Sequence, residues 1–89
     1  MLERELTVSN RLGLHARATA KLVQVLSGFR SNATLLAKGR EVNAKSIMGV
    51  MLLAAGQGTP VTLRVEGEDE AAAADAAADL FARFFDEDG

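Results

Sequence analysis

The chain has 89 residues, which suits a single domain, since domains usually contain about 50 to 250 residues. Its 48% of hydrophobic and 25% of charged residues are typical of a globular protein and exclude a disordered one. Cysteine is absent and histidine occurs once, which excludes disulfide bonds, thiolate nucleophiles and metal sites built on cysteines or on histidine pairs.

The net charge of −2 conceals an uneven distribution of charge along the chain. Residues 1–65 contain nine Lys or Arg and three Asp or Glu, whereas residues 66–89 contain one basic and nine acidic residues. A basic surface attracts an acidic protein, a phosphorylated ligand or a nucleic acid. We expect no nucleic-acid binding, because Trp and Tyr are absent and the basic residues form no cluster along the chain.

No targeting or membrane-spanning segment is expected. Residues 1–5 lack the basic stretch and the following apolar stretch of a secretory signal. No apolar run approaches the roughly 20 residues that a transmembrane helix needs. We therefore expect a soluble, cytoplasmic protein without membrane partners.

The first third of the chain shows a strand pattern followed by a helix pattern. Leu2, Leu6 and Val8 at even positions predict a half-buried strand, and a loop follows over residues 9–14. From residue 16 the apolar spacing becomes helical, and Gly28 is a suitable helix stop. The residues expected on the buried rows of this helix are Ala16, Thr19, Ala20, Leu22, Val23 and Leu26.

The middle of the chain predicts a hairpin, a short helix and another strand. Residues 33–37 and 40–43 read as short strands around Lys38-Gly39, which suits a tight hairpin turn. Ser46 is a favoured N-cap and predicts a short helix over residues 46–55. Strict alternation of apolar and polar residues predicts a strand over residues 61–66.

The last predicted helix begins after Gly67, with acidic residues in its first turn, where the helix dipole favours anions. Its expected buried stripe consists of Ala73, Ala77, Leu80, Phe81 and Phe84. Residues 86–89 are expected to form a solvated acidic tail. The order βαββαβα predicts one domain over residues 1–89, an α+β sandwich in which helices cover one face of a mostly antiparallel sheet.

The first segment with more than a packing role is Gly13-Leu14-His15-Ala16-Arg17. It places the imidazole at the start of the first helix, where free N–H groups and the helix dipole favour an anion. Arg17 adds a bidentate donor for phosphate oxygens. The histidine is therefore a candidate phosphoryl acceptor, although its spacing alone also permits a surface histidine with no task.

The second such segment covers residues 43–51 and combines Ser46 with an apolar helix. The apolar residues are Ile47, Met48, Val50, Met51, Leu52 and Leu53. A helix with one buried face does not need them all, so part of this surface is expected to be exposed for docking partners. The alternative is a helix wedged fully into the core. A phosphate on Ser46 would suit the helix N-terminus, and its charge would change the surface beside it.

Gly-Leu-His-Ala-Arg at 13–17 and Lys-Ser-Ile-Met-Gly-Val-Met at 45–51, in this order and spacing, resemble the HPr family. These are the histidine-containing phosphocarriers of the bacterial phosphoenolpyruvate:sugar phosphotransferase system, and the resemblance extends from the first strand to Phe85. It implies an open-faced β-sandwich with four antiparallel strands in the order 1-4-2-3 and three helices on one face. It also implies a carrier that takes a phosphoryl group from phosphorylated enzyme I and passes it to a histidine of IIA proteins, in sugar transport or its regulation.

The resemblance implies a role for each motif residue. His15 matches the histidine phosphorylated on Nδ1, Arg17 the arginine that stabilises the phosphate, and Ser46 the serine modified by HPr kinase/phosphorylase. The residues that match the docking surface for enzyme I and the IIA proteins are Lys21, Lys45, Ile47, Met48, Met51 and Leu52. Such a carrier needs no metal or cofactor, has no independent enzymatic activity and is expected to be a monomer.

One position departs from the family pattern. Many members have proline directly after the arginine, whereas this chain has Ala18, whose free N–H slightly loosens the first helical turn. Two other classes of protein remain open. A regulatory binding module of similar build would tolerate His15→Ala, and a small acylphosphatase-like hydrolase would turn over its substrate unaided.

Overall fold

The computed structural model describes residues 1–87, whose strands and helices follow the predicted order. The elements are β1 (Leu2–Thr7), α1 (Ala16–Ser27), β2 (Asn32–Ala37), β3 (Arg40–Asn43), α2 (Ile47–Leu52), β4 (Pro60–Glu66), α3 (Glu70–Ala82) and a final 3₁₀ turn (Phe84–Asp86). No helix in this part of the chain is long and apolar enough to span a membrane.

The four strands form one antiparallel sheet in the order β1-β4-β2-β3, as predicted. Lys38 and Gly39 join β2 to β3 with φ values of 53° and 75°, the left-handed backbone that a two-residue hairpin turn requires. Strand β4 then inserts between β1 and β2, with Leu63 opposite Leu35. Because side chains alternate along each strand, one sheet face is apolar and buried. The buried strand residues are Ala33, Leu35, Ala37, Val61, Leu63 and Val65.

The three helices cover this apolar face, which confirms the open-faced α+β sandwich. The opposite face of the sheet is mainly polar. There the Arg64 guanidinium donates to the carboxylates of Glu3 and Glu41, at 2.8 and 3.3 Å. Exposed pairs of this kind contribute only about 1 kcal/mol or less each, so the fold depends mainly on burial between sheet and helices.

The buried face of α1 differs in part from the prediction. Ala16 and Ala20 are exposed, whereas Ala18 and Thr19 are buried together with Leu22 and Leu26. The large leucines determine which face of the helix is buried, and Ala18 is on that face because it lies one turn before Leu22. Alanine has a single methyl group and therefore indicates the face only weakly.

Helix α2 is shorter than predicted, since it ends at Leu52 and not at residue 55. The φ of Ala54 is 48°, which is outside the helical range. Two basic side chains from the β2–β3 hairpin bind the free carbonyl groups at this end. Lys38 Nζ donates to the Ala54 carbonyl at 2.7 Å, and Arg40 Nη1 donates to the Leu52 carbonyl at 3.4 Å. Cations at a helix C-terminus also interact favourably with the helix dipole.

The carboxylate of Asp69 ties the start of α3 to the start of β2. It accepts the N–H groups of Arg30 and Ser31, at 2.8 and 2.9 Å, and the hydroxyl group of Ser31. The Ser31 hydroxyl and the Arg30 N–H lower the pKa of Asp69 from 3.8 to about 2. Asp69 thus joins two segments, a role that the helix-dipole argument for the acidic first turn did not include.

The chain leaves α3 through a left-handed turn. Phe84, Phe85 and Asp86 have φ values of 55°, 55° and 61°, a conformation that costs about 1–2 kcal/mol per residue. The turn places the Phe85 ring in the core, fully buried and 4.8 Å from the Phe81 ring. Phe84, which the helical spacing assigned to the buried stripe, is 40% exposed. The prediction for Phe84 is therefore wrong, because the helical periodicity ends before this residue.

Candidate functional site

His15 is the N-cap residue of α1, and its side chain is 30% exposed. Its carbonyl group accepts the Thr19 N–H at 2.9 Å, the first bond of the helix. Its ring atom Nδ1 accepts the Arg17 backbone N–H at 3.3 Å. A backbone N–H group can only donate, so Nδ1 is the acceptor of this bond and faces the helix N-terminus. The free amides and the positive end of the helix dipole lie there.

The loop before His15 is held against the segment that follows α2. The Leu14 N–H donates to the Ala55 carbonyl at 2.8 Å. Gly13 has a φ of 70°, and a Cβ at this position would lie 2.6 Å from the Ala55 oxygen and 2.7 Å from Cα of Gly56. Only glycine fits this backbone conformation and this close approach. The loop therefore brings His15 next to the C-terminal end of α2.

The other ring nitrogen of His15 faces a carboxylate from the far end of the chain. Nε2 lies 2.5 Å from Oε2 of Glu87, whose side chain is 15% exposed. The other oxygen, Oε1, accepts a hydrogen bond from the Asn10 amide at 3.0 Å. The Asn10 amide, together with the hydrogen bond from His15, holds the pKa of Glu87 below its usual value, so this side chain is ionised at neutral pH.

Asn10 is fully buried in the same loop. Its Nδ2 group also donates to the Gly13 carbonyl at 2.8 Å, so both of its protons bind acceptors. Within residues 1–87, its Oδ1 atom has no hydrogen-bond partner. The Gly13 carbonyl and the Glu87 carboxylate, both acceptors, determine the orientation of the Asn10 amide, since the flipped amide would place Oδ1 against both oxygens.

The predicted solvated tail at residues 86–89 is only partly correct. Asp86 is exposed, although Arg83 binds its carboxylate at 3.0 Å and lowers its pKa. Glu87 folds back onto His15, so it does not belong to a free tail. Residues 88 and 89 lie outside the described residues. Asn10 and Glu87 are thus residues around His15 that the sequence motifs did not identify.

Two predicted site residues on α1 lie near His15. Arg17 is exposed and follows the imidazole by two residues in the first helical turn. Lys21 is half-buried, and its Nζ group donates to the Phe85 carbonyl at 2.8 Å and lies 3.8 Å from the Asp86 carboxylate. Lys21 therefore also fixes the C-terminal turn that presents Glu87.

The predicted docking residues on α2 form an exposed apolar surface. Their exposed fractions are 45% for Ile47, 78% for Met48, 43% for Met51 and 63% for Leu52. Val50 is the only residue of this helix that is buried. The alternative of a helix wedged fully into the core is therefore wrong. Leu12, in the loop before His15, is 68% exposed as well. The sequence motifs did not identify Leu12, whose only signal is a large apolar residue in a polar loop.

The remaining predicted residues lie at the N-terminal end of α2. The Ser46 Oγ atom accepts the Gly49 N–H at 3.1 Å, which confirms the N-cap. Lys45 donates to the Phe29 carbonyl at 2.8 Å. Six residues of helix extend about 9 Å, so α2 separates Ser46 from the end that meets the His15 loop. Within residues 1–87, no group of three or more His, Asp or Glu side chains is arranged to hold a metal ion.

Comparisons with known proteins agree with this geometry. Residues 2–83 match the family model described as "PTS HPr component phosphorylation site". The chain is 68% identical over 88 residues to the phosphocarrier protein HPr of Xylella fastidiosa (strain Temecula1), with 99% of each chain covered. It is 54% identical over 87 residues to the phosphocarrier protein HPr of Cupriavidus necator, with 98% of each covered. The crystal structure of HPr-C-His from Thermoanaerobacter tengcongensis superposes with a TM-score of 0.96 at 43% identity and 100% coverage of both chains.

Proposed function

Because this chain belongs to the HPr family, the phosphocarriers of the phosphotransferase system, we propose that it carries a phosphoryl group on Nδ1 of His15. The position of His15 carries this proposal. The His15 side chain is 30% exposed, and its Nδ1 accepts the Arg17 N–H at the N-terminus of α1, where a negative phosphoryl group finds free amides and a favourable dipole.

The proposed donor is the phosphohistidine of enzyme I, and the proposed acceptor is a histidine of a IIA protein. The lone pair of Nδ1 attacks phosphorus, a P–Nδ1 bond forms, and the P–N bond of the donor breaks with its electron pair returning to the donor imidazole. The second transfer repeats these events with His15 as the leaving group. The Arg17 N–H, which binds Nδ1 at 3.3 Å, then becomes available to the phosphate oxygens. The exposed Arg17 guanidinium adds a bidentate donor to the same oxygens.

Partners are proposed to dock on the apolar surface of α2. This surface has four side chains exposed by 43–78%, and the proposed docking set adds the basic residues Lys45, directly before Ser46, and Lys21, on α1. The close approach of Gly13 to Gly56 supports this proposal, because it holds the His15 loop against the segment that follows α2. A basic surface with an apolar centre favours fast encounters with acidic partners, and this binding weakens as the salt concentration rises.

Ser46 is proposed as a regulatory phosphorylation site for an HPr kinase/phosphorylase. Its side chain is half-buried and lies beside Ile47 and Met48 of the docking surface. A phosphate there adds a charge of about −1.5 to −2, which repels an acidic partner.

The proposed carrier acts as a monomer in the cytoplasm, without a cofactor or a metal ion. It holds one phosphoryl group and releases it only to a partner, so it has no turnover of its own. The replacement of the common proline by Ala18 is expected to preserve this role, because the Ala18 methyl group is fully buried and fixes the first turn by packing.

The proposal is tested by incubating the protein with phosphoenolpyruvate, Mg²⁺ and purified enzyme I and measuring its intact mass. One acid-labile phosphoryl adduct is expected on the wild-type chain and none on His15→Ala. An adduct that persists in His15→Ala would place the phosphoryl group elsewhere. No adduct on the wild type with a competent, cognate enzyme I would reject the carrier function in favour of a binding module.

The docking surface is tested with Met48→Ala and with Leu36→Ala as the matched control on the opposite face of the sheet. Loss of an interface anchor costs about 1 kcal/mol or more, so the KM for the protein in the enzyme I reaction should rise about fivefold for Met48→Ala. Leu36→Ala should leave this KM unchanged. Equal effects of the two variants would contradict docking on α2.

A further inference from the structure

We propose that Glu87 is a positioning residue for His15: its carboxylate holds the imidazole in the tautomer protonated at Nε2 and so keeps Nδ1 free to bond to phosphorus. This inference rests on the proposed function and adds a residue to it. Glu87 lies outside both sequence motifs and beyond residue 83, where the match to the family model ends.

The two ring nitrogens of His15 face partners of opposite character. Nε2 is 2.5 Å from a Glu87 oxygen, which can only accept a hydrogen bond, and Nδ1 faces the Arg17 N–H, which can only donate. A neutral imidazole satisfies both partners only when its proton is on Nε2. The other tautomer would place a proton against the Arg17 N–H and a lone pair against the carboxylate. The surroundings of the ring therefore select the tautomer whose Nδ1 is a nucleophile.

The carboxylate is held by buried structure and is not a chance surface contact. The fully buried Asn10 amide donates to Oε1 of Glu87 at 3.0 Å, which leaves Oε2 directed at the imidazole. Two residues earlier in the chain, Phe85 is fully buried, and Lys21 binds its carbonyl group at 2.8 Å. These contacts fix the backbone on which Glu87 is carried.

The same contact remains useful after phosphoryl transfer. The new P–Nδ1 bond uses the Nδ1 lone pair, the proton stays on Nε2, and the ring gains a positive charge that the Glu87 carboxylate balances. The other charged residues close to this pair are Arg17, which is exposed two residues after His15, and Lys21 and Asp86, whose charged groups lie 3.8 Å apart at the C-terminal turn. Glu87 is the carboxylate in contact with the ring within residues 1–87.

The decisive variant is Glu87→Gln, which keeps the size of the side chain. Asn10 offers a donor, so the single Gln oxygen is expected to face Asn10 and its NH₂ group to face Nε2 of His15. An N–H donor at Nε2 favours the proton on Nδ1 and blocks the nucleophile. In Glu87→Ala water replaces the carboxylate and both tautomers are allowed. Asp86→Asn is the matched control, because it removes a neighbouring charge that does not contact His15.

The first readout is the tautomer of His15, measured from the ¹⁵N chemical shifts of the unphosphorylated ring. We expect protonation at Nε2 in the wild type and in Asp86→Asn, a shift to Nδ1 in Glu87→Gln, and a mixture in Glu87→Ala. A ring protonated at Nε2 in Glu87→Gln would overturn the proposal. This measurement needs no enzyme I, so it remains decisive for the tautomer even if the carrier function fails.

The second readout is the rate of phosphorylation by enzyme I. The maximal rate should fall about tenfold or more in Glu87→Gln, by analogy with the loss of the hydrogen-bond partner of a metal-bound histidine. It should fall less in Glu87→Ala, with the KM unchanged in both variants. An equal loss in Asp86→Asn, or a larger loss in Glu87→Ala than in Glu87→Gln, would indicate a general charge or folding effect and would also overturn the proposal. Urea midpoints of all three variants serve as the folding control.

Discussion

The two adjacent phenylalanines near the C-terminus test which side chain completes the hydrophobic core. Phe85 is fully buried against Phe81, whereas Phe84 is 40% exposed. Both have a φ of 55°, so alanine changes the backbone strain to the same extent at the two positions. Phe85→Ala and Phe84→Ala therefore differ in burial alone. Helical spacing assigned the core position to Phe84, so the pair also separates the sequence pattern from the structure.

The expected losses differ severalfold. Removing a buried phenylalanine side chain costs about 3–5 kcal/mol in the free energy of unfolding. A chain of this length has a total stability of about 4–13 kcal/mol, so Phe85→Ala removes a large fraction of it. A loss of 1 kcal/mol lowers the Tm of a domain of this size by about 4–8 °C, so the Tm should fall by about 12 °C or more. Phe84→Ala should cost about 1 kcal/mol, a typical loss for a point substitution, because Phe84 is 40% exposed and its removal leaves no closed cavity.

The assay is urea unfolding followed by far-ultraviolet circular dichroism, since the chain has no Trp or Tyr for fluorescence. Equal m-values for the wild type and the variants would justify a direct comparison of midpoints. A loss for Phe84→Ala as large as the loss for Phe85→Ala would refute the assignment of the core position. A loss below about 1 kcal/mol for Phe85→Ala would refute the cavity argument itself.

Three further changes test the loop, the N-cap and the link between α3 and β2. Gly13→Ala should destabilise the fold by more than about 2 kcal/mol, because it combines left-handed backbone with a steric clash. Gly39→Ala, with open space around it, should cost only the backbone part of about 1–2 kcal/mol. Equal urea midpoints for the two variants would contradict the clash at Gly13. Ser46→Ala should lower the free energy of unfolding by about 1 kcal/mol, because it removes the N-cap. Ser46→Asp should keep most of the N-cap stabilisation, because aspartate is also a favoured N-cap. Thermal melts that showed equal losses for the two variants would contradict the capping role. The pKa of Asp69 is lowered from 3.8 to about 2, chiefly by the Ser31 hydroxyl. The stability that the ionised Asp69 carboxylate adds to the fold is therefore complete above the unfolded-state pKa and is lost as the pH falls through the folded-state pKa. The stability difference between the wild type and Asp69→Asn should therefore be constant near neutral pH and shrink between pH 4 and 2, and a difference that stays constant over that range would refute this assignment.

Much of the architecture was predictable from local patterns. The alternation over residues 61–66 specifies a strand with one buried face, and Lys38-Gly39 specifies the hairpin before it. Leu22 and Leu26 specify the buried face of α1 more reliably than its alanines do. Helical spacing failed at Phe84, because a periodic rule applies only while the backbone remains helical, and a left-handed turn ends that periodicity.

The candidate site was predictable only on the side of His15 that its own neighbours form. The helix start, the Arg17 donor and the Ser46 N-cap follow from adjacent residues, because capping and the helix dipole act within one turn. The partner of Nε2 is a residue 72 positions away. That contact exists because the buried Phe85 and Lys21 place the C-terminal turn beside the loop of Asn10, and no local pattern encodes the relative position of two distant segments. The local sequence thus specified the candidate histidine and its helix, and the tertiary packing alone determined the carboxylate that contacts its ring.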